Sequence, residues 1–157
     1  MYDLKAYTIP IEELDLAKVL NAWGWLTGEN KKVIALTNLG DILLKDEQGR
    51  LYFIDTGRGK LEMMDESYLN FLNGKLGNNT YEEILMTILV DKLEFNKKIL
   101  RPNQVYSFYK LPVLGGRYII ENIYPLDLYE HFEITGAIHL NIKDLPGGTN
   151  IEFESGP

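Results

Sequence analysis

Apolar and polar positions along this chain fall into two rhythms. Between Lys32 and Met64 four short runs, Lys32–Thr37, Asp41–Lys45, Leu51–Asp55 and Lys60–Met64, are separated by Asn38-Leu39-Gly40, Asp46-Glu47-Gln48-Gly49 and Thr56-Gly57-Arg58-Gly59. Each break carries a glycine able to take left-handed backbone, and each is too short for a crossover helix, so the runs predict an antiparallel meander. Leu51-Tyr52-Phe53-Ile54 is apolar on both faces, which places that strand inside the sheet. A second cluster, Val105–Leu111 and Arg117–Ile123 joined by Pro112-Val113-Leu114-Gly115-Gly116, predicts a hairpin.

Helical rhythm occupies the rest. Pro10 to Asn21 predicts a helix with Glu12, Glu13 and Asp15 at the positive end of its dipole, Leu14, Ala17 and Leu20 or Asn21 inward, and a stop near Gly24 between Trp23 and Trp25. Asp65 is placed to cap a short helix through about Leu72, with Gly77 at its end. Thr80-Tyr81-Glu82-Glu83 has the form of a capping box for a longer helix in which Ile84, Ile88, Asp91 or Lys92 and Phe95 mark successive turns. From Leu126 to Leu145, a stripe of Leu128, Phe132, Thr135, Ile138, Ile142 and Leu145 predicts a last helix despite Gly136, and Ile151–Phe153 reads as an edge strand or a fraying end. Together these patterns predict one α+β domain over residues 1–157, with a central antiparallel sheet of five or six strands, meander plus hairpin, and helices packed on it. Its expected core holds Leu36, Phe53, Ile54, Ile88, Phe108, Ile120, Phe132, Ile138 and Ile142.

Charge and composition narrow the function classes. The 157 residues carry 16 Lys and Arg against 23 Asp and Glu, a net −7 and the wrong sign for a protein that rests on nucleic acid or anionic lipid. The absence of Cys removes thiol nucleophiles, zinc ribbons and disulfide frameworks together. Met1-Tyr2-Asp3-Leu4-Lys5 does not resemble an export signal, and the longest apolar stretch, Ile84 to Val90, is far below the ~18 residues of a membrane span, so the expected location is the cytoplasm.

Several motifs have the residue types of reactive sites. Phe53-Ile54-Asp55-Thr56-Gly57 has the form of an aspartic protease half-site, but that mechanism needs two carboxylates sharing a proton, and Arg58 follows; a strand-ending turn is the expectation. His131 and His139 share one predicted helix eight residues apart, too far to chelate one ion, and Asp127 four residues before His131 brings no third ligand. Both histidines are expected at the surface, solvated or hydrogen-bonded. Gly115-Gly116-Arg117 lacks phosphate-loop spacing and reads as a turn, and the pairs Glu12-Glu13 and Glu82-Glu83 fall in first turns of helices. Asn78-Asn79-Thr80 reads as a loop plus a helix cap, and the aromatics Tyr106, Phe108 and Tyr118 as packing. With no catalytic constellation marked, a binding module without cofactor or metal is the expected class.

One order of residues goes further. Trp23-x-Trp25, Leu39-Gly40-Asp41, Asp46-x-x-Gly49, Leu51-x-x-x-Asp55, Gly59-x-Leu61, Leu100-x-Pro102-x-Gln104-x-Tyr106-x-Phe108, Leu111-x-x-Leu114-Gly115-Gly116 and Asp144-Leu145-Pro146-Gly147-Gly148 resemble the bacterial family of the C-terminal domain of type VI secretion immunity proteins, across about residues 10–148. In longer relatives of this kind a separate N-terminal module precedes the domain, and this sequence is expected to hold the domain alone. The resemblance implies a cytoplasmic antitoxin that neutralises a cognate secreted nuclease by stoichiometric binding, and it offers no catalytic residues. Its motifs are rich in Gly, Pro, Leu and aromatics, types that set turns and cores. A basic toxin would meet an acidic surface, and the expected contacts are Asp46 and Glu47 at the meander hairpin and Asp127, Glu130 and Glu133 at the start of the last helix. The alternatives are another protein-binding or regulatory module on the same scaffold, or a small hydrolytic enzyme.

Overall fold

Gly40, Gly49 and Gly59, one in each break of the meander, all adopt left-handed backbone, with φ of +75°, +78° and +71°. In the computed structural model, which describes residues 3–67, 70, 73 and 77–149, they connect strands β2 (Lys31–Thr37), β3 (Ile42–Asp46), β4 (Arg50–Asp55) and β5 (Lys60–Ser67). The fifth strand is a two-residue edge, β1 (Thr8–Ile9), which follows the short helix α1 (Leu4–Tyr7) and pairs Thr8 with Thr37. The sheet is antiparallel in the order β1-β2-β3-β4-β5, and β4 is an inner strand, as its two-faced apolarity predicts.

The hairpin differs from its prediction. Strand β6 (Gln104–Phe108) pairs with β7 (Ile123–Asp127) rather than with Arg117–Ile123, and the two form a separate sheet instead of extending the meander. A hydrogen bond from Tyr106 N to Asn38 O, 2.7 Å, bridges the two sheets. The β-favouring run Tyr118-Ile119-Ile120 is overruled because residues 109–122 are held as a loop. The Asn122 side chain donates to the carbonyls of Lys110 and Arg117, both at 2.9 Å, and accepts from Lys110 N at 3.0 Å.

The helices also depart in detail. The first expected helix starts at Leu16, as α2 (Leu16–Asn21), because Asp15 caps it by accepting from Lys18 N; Glu12 and Glu13 lie in the preceding turn, and Val19 is buried instead of Ala17. Gly24 opens α3 (Gly24–Thr27), and Gly28 takes the positive φ expected of Gly24. Asp65 lies in β5 rather than capping a helix; most of that expected helix, like Ile151–Phe153, lies outside the described residues.

Gly77, not Thr80, is the N-cap of α4 (Asn78–Leu85). Met86, at φ +48°, then breaks the long predicted helix and starts α5 (Thr87–Phe95) on a new phase. Glu82 of the supposed capping box instead accepts from Thr87 Oγ1 and Ile88 N across that break. The rotation buries Thr87, Leu89, Val90 and Leu93 and leaves Ile88 and Phe95 exposed, against the expectation for both.

The last helix, α6 (Leu128–Ile142), carries Asp127 as its N-cap. Its buried face is Leu128, His131, Phe132, Thr135, Gly136 and His139, the i, i+3, i+4 set of a helix lying on a sheet. The predicted stripe holds at Leu128, Phe132 and Thr135 and drifts by about one residue beyond them, so Ile138 and Ile142 are half-buried and Leu145 is exposed. Gly136 belongs to this face because α6 crosses α2 closely: a Cβ there would sit 2.5 Å from Ala22 O.

Sheet alternation distributes the core. Leu36, Ile42, Leu44 and Ile54 point to a layer with Val19, Trp23, Leu128 and Phe132 from α2, α6 and the turn before α3. Ala35, Leu43 and Leu51 point the other way, onto Tyr81, Ile84 and Leu85 of α4, with Phe53 half-buried beside them. A third cluster joins α5 to the small sheet through Leu89, Val90, Leu93, Tyr106 and Phe108.

Candidate functional site

Both histidines, expected at the surface, are buried where α6 meets two meander turns. A Cβ on Gly40 would lie 2.3 Å from His131 Nε2, and one on Gly59 would lie 2.3 Å from His139 Nδ1, so each imidazole occupies space that only glycine leaves open. His131 Nε2 lies 2.9 Å from Gly40 O, and its Nδ1 lies 2.9 Å from Ser107 Oγ. A carbonyl only accepts, so Nε2 carries the proton and Ser107 donates to Nδ1. His139 Nε2 likewise donates to Thr56 O at 2.8 Å. Burial pushes His131 down to about 4, against the opposing pull of its bond to Gly40, and it lowers His139 as well.

Thr56 continues the seam toward a carboxylate that sequence reasoning did not single out. Asp41 Oδ1 accepts from Thr56 N at 2.9 Å and lies 3.2 Å from Thr56 Oγ1, which itself donates to Gly40 O at 2.7 Å. Asp41 is 8% exposed, and burial together with the neighbouring charge of Asp55 pushes its carboxyl well above the usual range. Asp55 ends its strand as the turn reading of Asp-Thr-Gly predicts, accepting from Arg58 N at 2.9 Å. The only sign of Asp41 in the sequence is its place behind Leu39-Gly40. Ser107, His131 and Thr56 are all nearly inaccessible and hydrogen-bonded to one another's surroundings, an arrangement that fastens α6 to the sheet rather than presenting a nucleophile.

The expected partner contacts occupy two places. At the β3–β4 turn, Asp46 accepts from Gln48 N, Arg50 N, Arg50 Nε and Tyr52 OH, at 2.6–2.9 Å. What burial it has would raise its pKa, but these hydrogen bonds and the Arg50 charge prevail and hold it at about 2. Glu47 beside it is exposed. At the start of α6, Asp127 accepts from Glu130 N at 3.0 Å, while Glu130 and Glu133 are exposed. The amides of Gly115 and Gly116 donate to Pro112 O and Leu111 O, which leaves no anion cradle there.

Two concave surfaces remain. An apolar groove between α6 and the small sheet exposes Tyr109, Val113, Ile134 and Leu145, with Tyr109 stacked 4.3 Å from Tyr124. On the far side, a cleft of about 960 Å³ lies between β4–β5 and α4. Its lining combines the apolar Phe53, Met64, Phe108 and Tyr118 with the carboxylates Asp41, Asp55, Glu62, Glu82 and Glu83 and with Arg58. The Arg58 guanidinium lies 5.4 Å over the Tyr118 ring, with Nη1 3.8 Å from Asp55 Oδ2. Among the described residues no group of three or more His, Asp or Glu is placed to hold a metal ion, and no helix is long and apolar enough to cross a membrane.

Comparison with known proteins places these features in context. Residues 65–139, from the end of β5 into α6, match the family described as type VI secretion system immunity protein Tdi1, C-terminal. The crystal structure of Atu4351 from Agrobacterium tumefaciens is similar in fold, with a TM-score of 0.50 at 20% identity, over 77% of this chain and 62% of that one. This chain therefore spans less than two thirds of Atu4351. No curated protein matches.

Proposed function

We propose, with the match of residues 65–139 to the Tdi1 C-terminal immunity family as premise, that this chain is an immunity protein that neutralises a cognate toxin by binding it. The family match is the observation that carries this reading. The toxin is a basic nuclease held one to one in the cytoplasm, where its substrate lies. Nuclease surfaces are cationic because they must hold phosphates, and the net −7 of this chain suits such a surface while opposing direct contact with nucleic acid. No cofactor takes part. Exposed Glu47, Glu130 and Glu133 act by steering, a contribution to association rate that is screened over about 8–10 Å at physiological salt. Asp46 and Asp127 support those positions from behind, since their oxygens serve amides of their own turns.

The test is to look for a toxin gene beside the gene of this chain and co-express the two, followed by light scattering of the purified mixture. Restored growth and a 1:1 complex whose association slows with added salt are the expected result. Continued killing, with no complex, would refute the reading.

A further inference from the structure

The acidic cleft on the α4 face holds a carboxylate that the fold leaves unfinished. Asp41 is more than nine-tenths buried, yet only its Oδ1 is used, by Thr56; Oδ2 takes no hydrogen bond. Among the described residues no cation lies within ion-pair distance of Asp41. That second oxygen is not enclosed: it opens to the cleft, where an entering donor or cation meets it. The residue lines the cleft, so a group entering there reaches it without unfolding anything. Around it the walls are suited to one chemistry. Asp55, Glu62 and Glu83 add negative charge, and Phe53 adds aromatic surface on which a flat cation stacks. Arg58 already demonstrates that fit from within the chain, lying over Tyr118 beside Asp55.

We propose that this cleft is the anchor socket for an arginine or lysine side chain of the partner protein, with Asp41 as the end-point of the inserted cation. The proposal rests on the immunity reading for the identity of the partner, and it separates two jobs. Exposed carboxylates such as Glu130 and Glu133 govern how fast the partner arrives, whereas a desolvated charge pair governs how slowly it leaves.

The experiment measures association and dissociation of the toxin identified by the co-expression test, using surface plasmon resonance. Asp41→Asn is expected to raise the off-rate by about tenfold or more with the on-rate nearly unchanged, as loss of a buried charge partner does. Because Asp41 also holds Thr56, a second variant, Glu62→Lys with Glu83→Lys, alters only exposed rim positions and is expected to weaken binding about tenfold in an intact fold. Glu130→Lys with Glu133→Lys is expected to slow association alone. An Asp41→Asn off-rate within about twofold of wild type, together with an affinity within about twofold for the Glu62→Lys, Glu83→Lys variant, would overturn the socket while leaving the immunity reading in place. Should the toxin fail to bind the wild-type chain, the immunity reading is lost, and the socket is judged with an acetylated triarginine amide by ¹H–¹⁵N NMR. Shifts at Asp41, Asp55 and Thr56 that vanish in Asp41→Asn sustain it. Shifts spread evenly over the acidic surface, unchanged in Asp41→Asn, overturn it.

Discussion

Acid should loosen this protein through His131, and the size of the effect follows from where the ring sits. Burial holds the folded-state pKa at about 4, below the ordinary 6.5, so the unfolded chain takes up a proton that the folded chain refuses. The resulting stability is fully present above pH 6.5 and is lost as pH falls toward about 4. At about 1.36 kcal/mol per pH unit, that amounts to roughly 2 kcal/mol by pH ~5 and about 3 kcal/mol at the limit. His139, lowered by burial too, acts in the same sense, whereas Asp41, raised by burial, favours folding as pH falls. A comparison with His131→Gln isolates the imidazole, because glutamine can still donate to Gly40 O but does not titrate. Urea unfolding followed by fluorescence of buried Trp23 gives the stabilities at several pH values. The variant should be the weaker protein at pH 7.5, by about 1–3 kcal/mol, since Ser107 loses its acceptor. That gap should shrink or reverse by about 2 kcal/mol at pH ~5. A gap that stays constant between pH 7.5 and 4.5 would refute the argument, for it would mean that His131 titrates as it does in the unfolded chain.

Gly40→Ala and Gly59→Ala should each destabilise by about 2–4 kcal/mol in the same urea assay, combining left-handed strain with displacement of an imidazole; a loss below about 0.5 kcal/mol would show that the histidines dock elsewhere. Phe132→Ala should cost about 3–5 kcal/mol, whereas Ile88→Ala, at an exposed position of α5, should stay within about 0.5 kcal/mol. Reversal of that order would place the wrong face of either helix inward. Asp46→Asn should raise hydrogen exchange at the Gln48 and Arg50 amides, and the wild-type turn should lose its protection as pH falls from 3.8 toward about 2, where Asp46 protonates. Unchanged exchange in the variant would remove Asp46 from the turn.

The meander was legible in the sequence because its information is local. Strand alternation and a left-handed glycine in every break act over a few residues, and Gly40, Gly49 and Gly59 confirm them one by one. The hairpin partner was not, since Tyr118-Ile119-Ile120 has the composition of a strand, and the side chain of Asn122 decides otherwise by tying Lys110 to Arg117. Met86 is a similar case. No proline or glycine marks the break, yet one left-handed residue turns Ile88 from core to surface.

The candidate site was hidden for the same reason. Gly40, Asp41, Thr56, Ser107 and His131 are ordinary turn, strand and helix residues in sequence, separated by up to 91 positions in their hydrogen bonds. Composition establishes an acidic chain without thiol chemistry, because charge and residue inventory do not depend on folding. Burial, tautomer and the unused oxygen of Asp41 exist only once α6 lies across the sheet, because desolvation and hydrogen-bond geometry are properties of neighbours that the chain brings together from afar.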